Sequence, residues 1–138
     1  SVDVATLGSA PAGVATAVVV DRFGAYESVG VSEMLVRWGI DVTVVTPHPM
    51  LGPRVVRELV LAPALARIDA GPGRFRLVTG ADPAEPLPPA DLVVGIDKAP
   101  APLALGPTSA DVHVVGDAAE PGNLWAAIRS GNAVGRAL

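Results

Sequence analysis

Short runs of β-branched and other apolar residues flank one amphipathic stretch in the first third of the chain. The apolar runs cover Thr16–Val20 and Asp41–Thr46, and they favour buried strands because β-branched side chains pack well in sheets. Between the runs, apolar residues recur with the period of a helix, at Val31, Met34, Leu35 and Trp38. Gly39 stands where a glycine commonly ends a helix. The pattern predicts a strand, a helix over Tyr26–Trp38 and a second strand.

Weaker signals predict the elements of the remaining chain. Prolines and glycines mark loops over residues 8–13, 47–53, 81–90 and 100–109. The other segments predict a short helix over residues 3–7, a short helix over Arg54–Leu61, strands over Leu65–Asp69, Asp91–Ile96 and Val112–Val115, one arm of a hairpin over Arg74–Thr79, and a helix from about Gly122.

These elements predict an α/β fold, Rossmann-like, with three layers and a mainly parallel sheet. A strand, a helix and a strand at this spacing form a right-handed crossover in nearly all proteins. We divide the chain into a linker or short helix over residues 1–15, an α/β unit like an NAD(P) domain over residues 16–110, and a strand with its helix over residues 111–138.

Composition excludes several classes of function. The 138 residues carry a formal net charge of −4 with scattered basic residues, which argues against a nucleic-acid surface. No apolar run approaches the ~20 residues that span a bilayer, and no signal peptide is visible. We therefore expect a cytoplasmic protein with no nucleic-acid or membrane partner. Without cysteine, the chain can hold neither a disulfide nor a cysteine-ligated iron–sulfur cluster.

The two ends of the sequence favour a piece of a longer protein. The first residue is Ser1 rather than a methionine, and the last residues continue a helical pattern up to Leu138. A processed natural product is the alternative interpretation.

The turn after the first predicted strand departs from a dinucleotide-binding turn. In the motif G-x-G-x-x-G, the glycines allow the tight turn, the approach of the pyrophosphate and the close packing of the helix. Here Asp21 stands at the first glycine position, where its carboxylate would repel a pyrophosphate and fill space. Gly24 and Gly30 keep part of the close approach, but their spacing is wrong. Residues 46–48 offer no acid for the ribose, so the usual mode of NAD binding is disfavoured.

Two basic residues leave a second interpretation of the same region open. His48 and Arg54 could hold the 2′-phosphate of NADPH, although a loop histidine and a solvated arginine are the favoured interpretation. Two isolated histidines, His48 and His113, do not make a metal site. The sequence also shows no recognisable catalytic arrangement of a nucleophile, a histidine and an acid. The sequence therefore predicts no catalytic residue and no metal ligand.

A second motif lies near the end of the chain. The predicted strand Val112–Val115 ends in Gly116 and Asp117, and a helix follows with Ala127, Ile128 and Gly131 on one face. A strand, Gly-Asp and such a helix are typical of flavin disulfide-reductase-type folds, in which the aspartate contacts the flavin cofactor. The alternative is that Asp117 simply caps the following turn.

Taken together, these segments resemble a family of multidomain enzymes. The chain is similar to the C-terminal part of the NADH:flavin oxidoreductases related to Old Yellow Enzyme, above all to the trimethylamine and histamine dehydrogenase branch. The 2,4-dienoyl-CoA reductases share this architecture. The matching residues are Asp21, Gly24, Tyr26, Ser32, Glu33, Leu35, Gly39, Val42, Thr43, Val45, Thr46 and Pro47, then Gly116, Asp117, Ala118, Pro121, Ala126, Ala127, Ile128 and Gly131. The likeness is loose between Leu51 and Pro107.

The resemblance implies a larger protein and a division of labour within it. An upstream barrel would carry FMN and a 4Fe-4S cluster, and an FAD-like domain would follow the barrel. Both would be partners of this segment in the same chain. A homodimer is a further expectation. Gly24, Tyr26, Gly116 and Asp117 are the candidate cofactor-binding residues. We expect no cofactor on the segment alone, with FAD, ADP or NAD(P)H as the candidates if one binds.

Three functions follow from these observations. The first is a degenerate nucleotide-binding domain of a flavin and iron–sulfur oxidoreductase, inactive by itself. The second is the NADPH-docking domain of an enzyme like the dienoyl-CoA reductases. The third is a stand-alone interaction module with a Rossmann-like shape, because a fold does not fix a function.

Overall fold

The computed structural model describes residues 10–82, 84–100 and 106–137. The chain divides into two compact units, Ser1–Asp97 and Lys98–Leu138. The helix predicted over residues 3–7 lies outside the described residues, as do parts of the loops predicted over residues 8–13 and 100–109. Among the described residues, no helix is long and apolar enough to cross a membrane.

The first unit is built on a sheet of four parallel strands. In chain order its elements are β1 (Thr16–Asp21), α1 (Tyr26–Arg37), β2 (Asp41–Val45), a 3₁₀ helix (Pro53–Glu58), α2 (Leu61–Asp69), β3 (Phe75–Val78) and β4 (Leu92–Ile96). The strand order is β3-β2-β1-β4, and every pairing is parallel. The predicted α/β class and the β1–α1–β2 unit are therefore confirmed.

The two faces of the sheet are covered differently. One face and the helices α1 and α2 share the main core, formed around Val19, Leu35, Val44 and Ile68, all at most 1% exposed. The other face, with Val18, Val20 and Val45, packs against Val78 at the end of β3 and against three residues between β3 and β4, namely Ala81, Leu87 and Ala90. β1 lies between its neighbours and is buried on both faces, which explains its continuous apolar run.

Helix α1 buries a different stripe from the predicted one. Val31 and Leu35 are buried as expected, whereas Met34 and Trp38 are only partly buried. The remaining buried positions are Ser28, Val29, Ser32 and Val36. Ser28 and Ser32 are tolerated in the core because their hydroxyls donate to the carbonyls of Ala25 (2.9 Å) and Ser28 (2.7 Å).

The strand predicted over Leu65–Asp69 is wrong, because this segment belongs to helix α2. Leu61, Ala64 and Ile68 recur at helical spacing and are buried against α1 and the sheet. Pro63 argues against a helix when only the sequence is considered, because proline usually breaks helices. It lies in the first turn, where a backbone N–H would have no partner within the helix, so proline costs little there.

The hairpin arm predicted over Arg74–Thr79 is also corrected. β3 pairs in parallel with β2, with Val42 opposite Phe75 and Val45 opposite Val78. A parallel pair needs a crossover, and α2 supplies it. The predicted short helix over Arg54–Leu61 is present as the 3₁₀ helix Pro53–Glu58.

Among its described residues, the second unit holds one α-helix and one short 3₁₀ helix. These are a 3₁₀ helix (Gly116–Ala118) and α3 (Leu124–Gly135), which begins where a helix was predicted. Asn123 caps α3, since its Oδ1 accepts the N–H of Ala126 at 2.9 Å. The strand predicted over Val112–Val115 is wrong: this stretch forms no strand, and Val112 and Val114 are 48% and 44% exposed.

Asp91 joins the start of β1 to the segment before β4. Its Oδ2 accepts hydrogen bonds from the backbone N–H groups of Ala15 (3.0 Å) and Thr16 (2.9 Å) and from the Thr16 hydroxyl (2.9 Å). The bond from the Thr16 hydroxyl, followed by the two backbone bonds, lowers the pKa of Asp91 below its ordinary value. The ionised carboxylate therefore stabilises this edge of the fold.

We expect Asp91→Asn to remove a contribution to stability that depends on pH. The folded pKa of Asp91 lies below the unfolded value of about 3.9, so its contribution is present above that pH and is lost as the pH falls through the folded pKa. Urea unfolding at neutral and acidic pH measures the gap in free energy of unfolding between wild type and variant, which should close in acid. Asp69→Asn, at the exposed end of α2, is the control. A gap that persists at the lowest pH would contradict this role.

Candidate functional site

The turn between β1 and α1 is closed by its own aspartate. Asp21 is the last residue of β1 and is 0% exposed. Its Oδ1 accepts the backbone N–H of Phe23 at 3.1 Å and of Gly24 at 2.7 Å. N–H groups at this position of a dinucleotide-binding turn would point at a phosphate. The Asp21 carboxylate thus occupies donors that a pyrophosphate would need.

The second carboxyl oxygen of Asp21 also disfavours an anionic ligand at this turn. Within the described part of the chain, Oδ2 is buried and has no hydrogen-bond partner. An anionic ligand placed beside Oδ2 would meet a carboxyl oxygen where a phosphate site needs an N–H donor. The repulsion predicted from the sequence therefore combines with direct occupation of the turn.

Gly24 lets another side chain pack against the turn. Its φ is 72°, in the left-handed region, and a Cβ at this position would lie 2.8 Å from His48 Cδ2 and Nε2 and 2.9 Å from Pro53 Cγ. The space that Gly24 leaves beside the turn is therefore filled by His48 and Pro53 of the protein itself. In a working site this space serves the approach of the ligand.

His48 and Arg54 hold the same turn in place. His48 Nε2 donates to the Arg22 carbonyl at 3.2 Å, and the Arg54 N–H donates to the Gly24 carbonyl at 2.9 Å. The Arg54 guanidinium lies over the Phe23 ring, 4.5 Å from its centroid. Sequence reasoning considered His48 and Arg54 as ligands of a 2′-phosphate, favoured a loop histidine and a solvated arginine, and missed these contacts with the turn. The proximity of His48 to Gly24 has no signal in the sequence, because it depends on how the loop after β2 folds back.

The end of β2 carries no acid that could hold a ribose. Thr46 follows the strand and is 0% exposed, its N–H donates to the Val78 carbonyl, and its Oγ1 accepts the N–H of His48 at 3.2 Å. Here the side chain stabilises the loop after β2. No group of acidic, histidine or cysteine residues suited to a metal ion occurs among residues 10–82, 84–100 and 106–137.

The other candidate residues belong to different units of the chain. Tyr26 is the first residue of α1, two residues after Gly24, and is 48% exposed. Gly116 and Asp117 lie in the second unit, in the 3₁₀ helix Gly116–Ala118. Gly116 has a φ of 62°, and its N–H donates to Ser130 Oγ at 2.9 Å. Asp117 Oδ1 accepts the N–H of Gly122 at 3.1 Å, which is the turn-capping alternative considered above.

One solved structure has a fold similar to that of this chain. The fold is similar to that of histamine dehydrogenase from Rhizobium sp. 4-9. The TM-score is 0.56 at 19% sequence identity, over 91% of this chain and 23% of the dehydrogenase chain. The present chain therefore spans about a quarter of the length of that protein. At this identity the likeness establishes the shared α/β fold.

Sequence comparisons add no family assignment. No protein-family model matches the sequence, and no curated protein matches it.

Proposed function

We propose that this chain is a Rossmann-type nucleotide-binding domain that has lost its dinucleotide site, as part of a flavin and iron–sulfur oxidoreductase of the NADH:flavin oxidoreductase family. The observation that carries the proposal is the Asp21 carboxylate, which accepts the N–H groups of Phe23 and Gly24. The similarity of fold to a segment of histamine dehydrogenase supports the link to oxidoreductases.

The residues present do not fit the pyrophosphate of NAD(P)H. The donors of the turn are used by Asp21, the space beside Gly24 is used by His48 and Pro53, and Thr46 stands near the place of a ribose-binding acid. A chain without cysteine leaves a cluster and its ligands to another segment. We assign this domain a structural part in the larger enzyme, with no catalytic step of its own.

The NADPH-docking alternative has less support. Arg54 lies over Phe23, and the Nε2 atom of His48 is engaged with the Arg22 carbonyl. Both side chains would have to leave these contacts to reach a 2′-phosphate. The stand-alone interaction module is the third candidate, and the absence of a match to any family model leaves it open.

Calorimetric titration of the purified chain with NADPH, NADH and ADP tests the proposal. We expect no saturable heat at millimolar concentrations of any of the three, because each would compete with an intramolecular carboxylate at effective concentrations that a free ligand does not reach. The degenerate-domain proposal then stands.

Binding of NADPH at micromolar concentration would overturn it. In that case Arg54→Ala and His48→Ala decide between docking modes, with Arg57→Ala as the matched control on the same 3₁₀ helix. Loss of binding in the first two variants alone would establish the NADPH-docking function.

A further inference from the structure

The stretch between β2 and α2 carries an exposed surface of arginine and apolar side chains. This surface, called the crossover patch below, is formed by Arg54, Val56, Arg57, Leu59 and Val60. The Arg54 N–H donates to the Gly24 carbonyl at 2.9 Å, so the patch lies beside the turn that follows β1. It therefore belongs to the carboxyl edge of the parallel sheet, which is the edge where open α/β sheets bind ligands.

The geometry of the 3₁₀ helix Pro53–Glu58 separates charged from apolar side chains. With three residues per turn, residues three positions apart share a row. Val55 is buried and marks the row that faces the core. Arg54 and Arg57 form one outward row, and Val56 begins the other. A partner would meet a basic row beside an apolar one.

Leu59 is held in a backbone conformation that leucine disfavours. Its φ is 57°, in the left-handed region, which glycine and asparagine tolerate better. Its side chain is 83% exposed, so packing within this unit does not offset the strain. Neither the backbone nor the core of the first unit explains a leucine here, whereas contact with another molecule does.

The crossover patch is basic although the chain as a whole is acidic. The sequence has a formal net charge of −4, whereas residues 53–60 carry Arg54, Arg57 and one acid, Glu58. Arg57 forms no ion pair with any residue that the structure describes. The guanidinium of arginine matches a carboxylate through two parallel hydrogen bonds, so two arginines in one row favour an acidic partner.

We propose that the crossover patch docks an acidic polypeptide segment that carries a large apolar side chain. Carboxylates of the segment pair with Arg54 and Arg57, and the apolar side chain packs on Val56 and Leu59. Clusters of arginine are a recurring device for binding acidic segments. This docking does not depend on whether the Asp21 turn binds a nucleotide.

An anionic membrane fits the crossover patch less well than a polypeptide does. Glu58 lies in the same stretch, and acidic headgroups would repel it, as they would the acidic chain as a whole. Helices that lie on membranes combine a long apolar face with a strongly basic one, whereas Pro53–Glu58 has 6 residues. The membrane is therefore an alternative outcome of the test.

A nuclear magnetic resonance titration of the whole chain tests the proposal. The probe is a synthetic peptide that repeats Glu-Leu-Glu-Glu, and the backbone amides of residues 54–60 report its binding. We expect saturable shifts of these amides with a dissociation constant below about 1 mM. The same repeat with Ala in place of Leu, or with Lys in place of Glu, should bind about tenfold more weakly or not at all.

Two variants act on different parts of the crossover patch. Arg57→Glu reverses a charge, and Leu59→Asn removes the apolar side chain while suiting the left-handed backbone. Each should weaken binding of the Glu-Leu-Glu-Glu peptide about tenfold, and Leu59→Asn should do so without lowering the urea midpoint of unfolding. The matched controls are Arg74→Glu, at the amino end of β3, and Leu124→Asn, at an exposed leucine of α3. Neither control should change binding.

Four results would overturn the proposal. The first is the absence of shifts at residues 54–60 up to millimolar peptide. The second is equal binding of the lysine peptide. The third is a response of these amides to phosphatidylserine vesicles but not to the peptide, which would assign the patch to a membrane. The fourth is a dependence of the same signals on protein concentration alone, which would assign it to a second copy of the chain. Circular dichroism establishes that each variant is folded, and failure of one variant to fold leaves the other decisive.

Discussion

Replacing Gly73 by alanine should lower the free energy of unfolding by about 3 kcal/mol, because overpacking against backbone atoms cannot be relieved by a change of rotamer. A Cβ at Gly73 would collide with the Ile40 carbonyl oxygen and would lie 2.9 Å from the Ile40 carbonyl carbon. The N–H of Gly73 donates to the Val36 carbonyl at 3.1 Å, so the contact ties the end of α1 to the start of β3.

Urea unfolding followed by circular dichroism measures this effect. Gly95→Ala is the matched control, since a Cβ there meets no atom within 4 Å. We expect the control to stay within about 0.5 kcal/mol of wild type. If Gly73→Ala were as stable as Gly95→Ala, the approach of β3 to Ile40 would be looser than described.

Replacing Gly24 by alanine should cost about 2–4 kcal/mol, from left-handed strain together with overpacking. The glycine has a φ of 72°, and the added Cβ would press on the His48 ring and on Pro53. Gly39→Ala separates the two causes, because Gly39 has a φ of 78° and no atom within 4 Å of the added Cβ. The control should therefore cost about 1–2 kcal/mol from strain alone. Equal losses in the two variants would mean that His48 does not close the turn.

The sequence was most informative where local pattern and burial agree. Thr16–Asp21 and Leu92–Ile96 are short apolar runs between polar or turn residues, and both are parallel strands in the core. The helix after β1 was predicted to within one residue of Tyr26–Arg37, because its apolar period and the following Gly39 mark the same end. Local signals of this kind need no knowledge of distant residues.

The wrong predictions share a dependence on tertiary context. Five residues, Leu65–Asp69, are too few to distinguish a buried strand from part of a helix, and Pro63 hid the preceding turn. Val112–Val115 has the composition of a strand, but a strand forms only where a neighbouring strand offers hydrogen bonds. Among the described residues, no neighbouring strand pairs with this stretch.

The candidate site was only half predictable. Asp21 signalled a defective phosphate turn because carboxylates and phosphates repel each other. That its Oδ1 would accept the N–H groups of Phe23 and Gly24 depends on side-chain direction, which the sequence does not specify. The contact of His48 with Gly24 joins residues 24 positions apart and was equally hidden.

The measurement that tests the central claim most directly is a nuclear magnetic resonance titration with ADP, observing the backbone amides of Phe23 and Gly24. If the Asp21 carboxylate holds these two N–H groups, their signals should stay in place up to millimolar ADP. A saturable shift of both signals would show that the turn still accepts a pyrophosphate, and would contradict the account of a lost dinucleotide site.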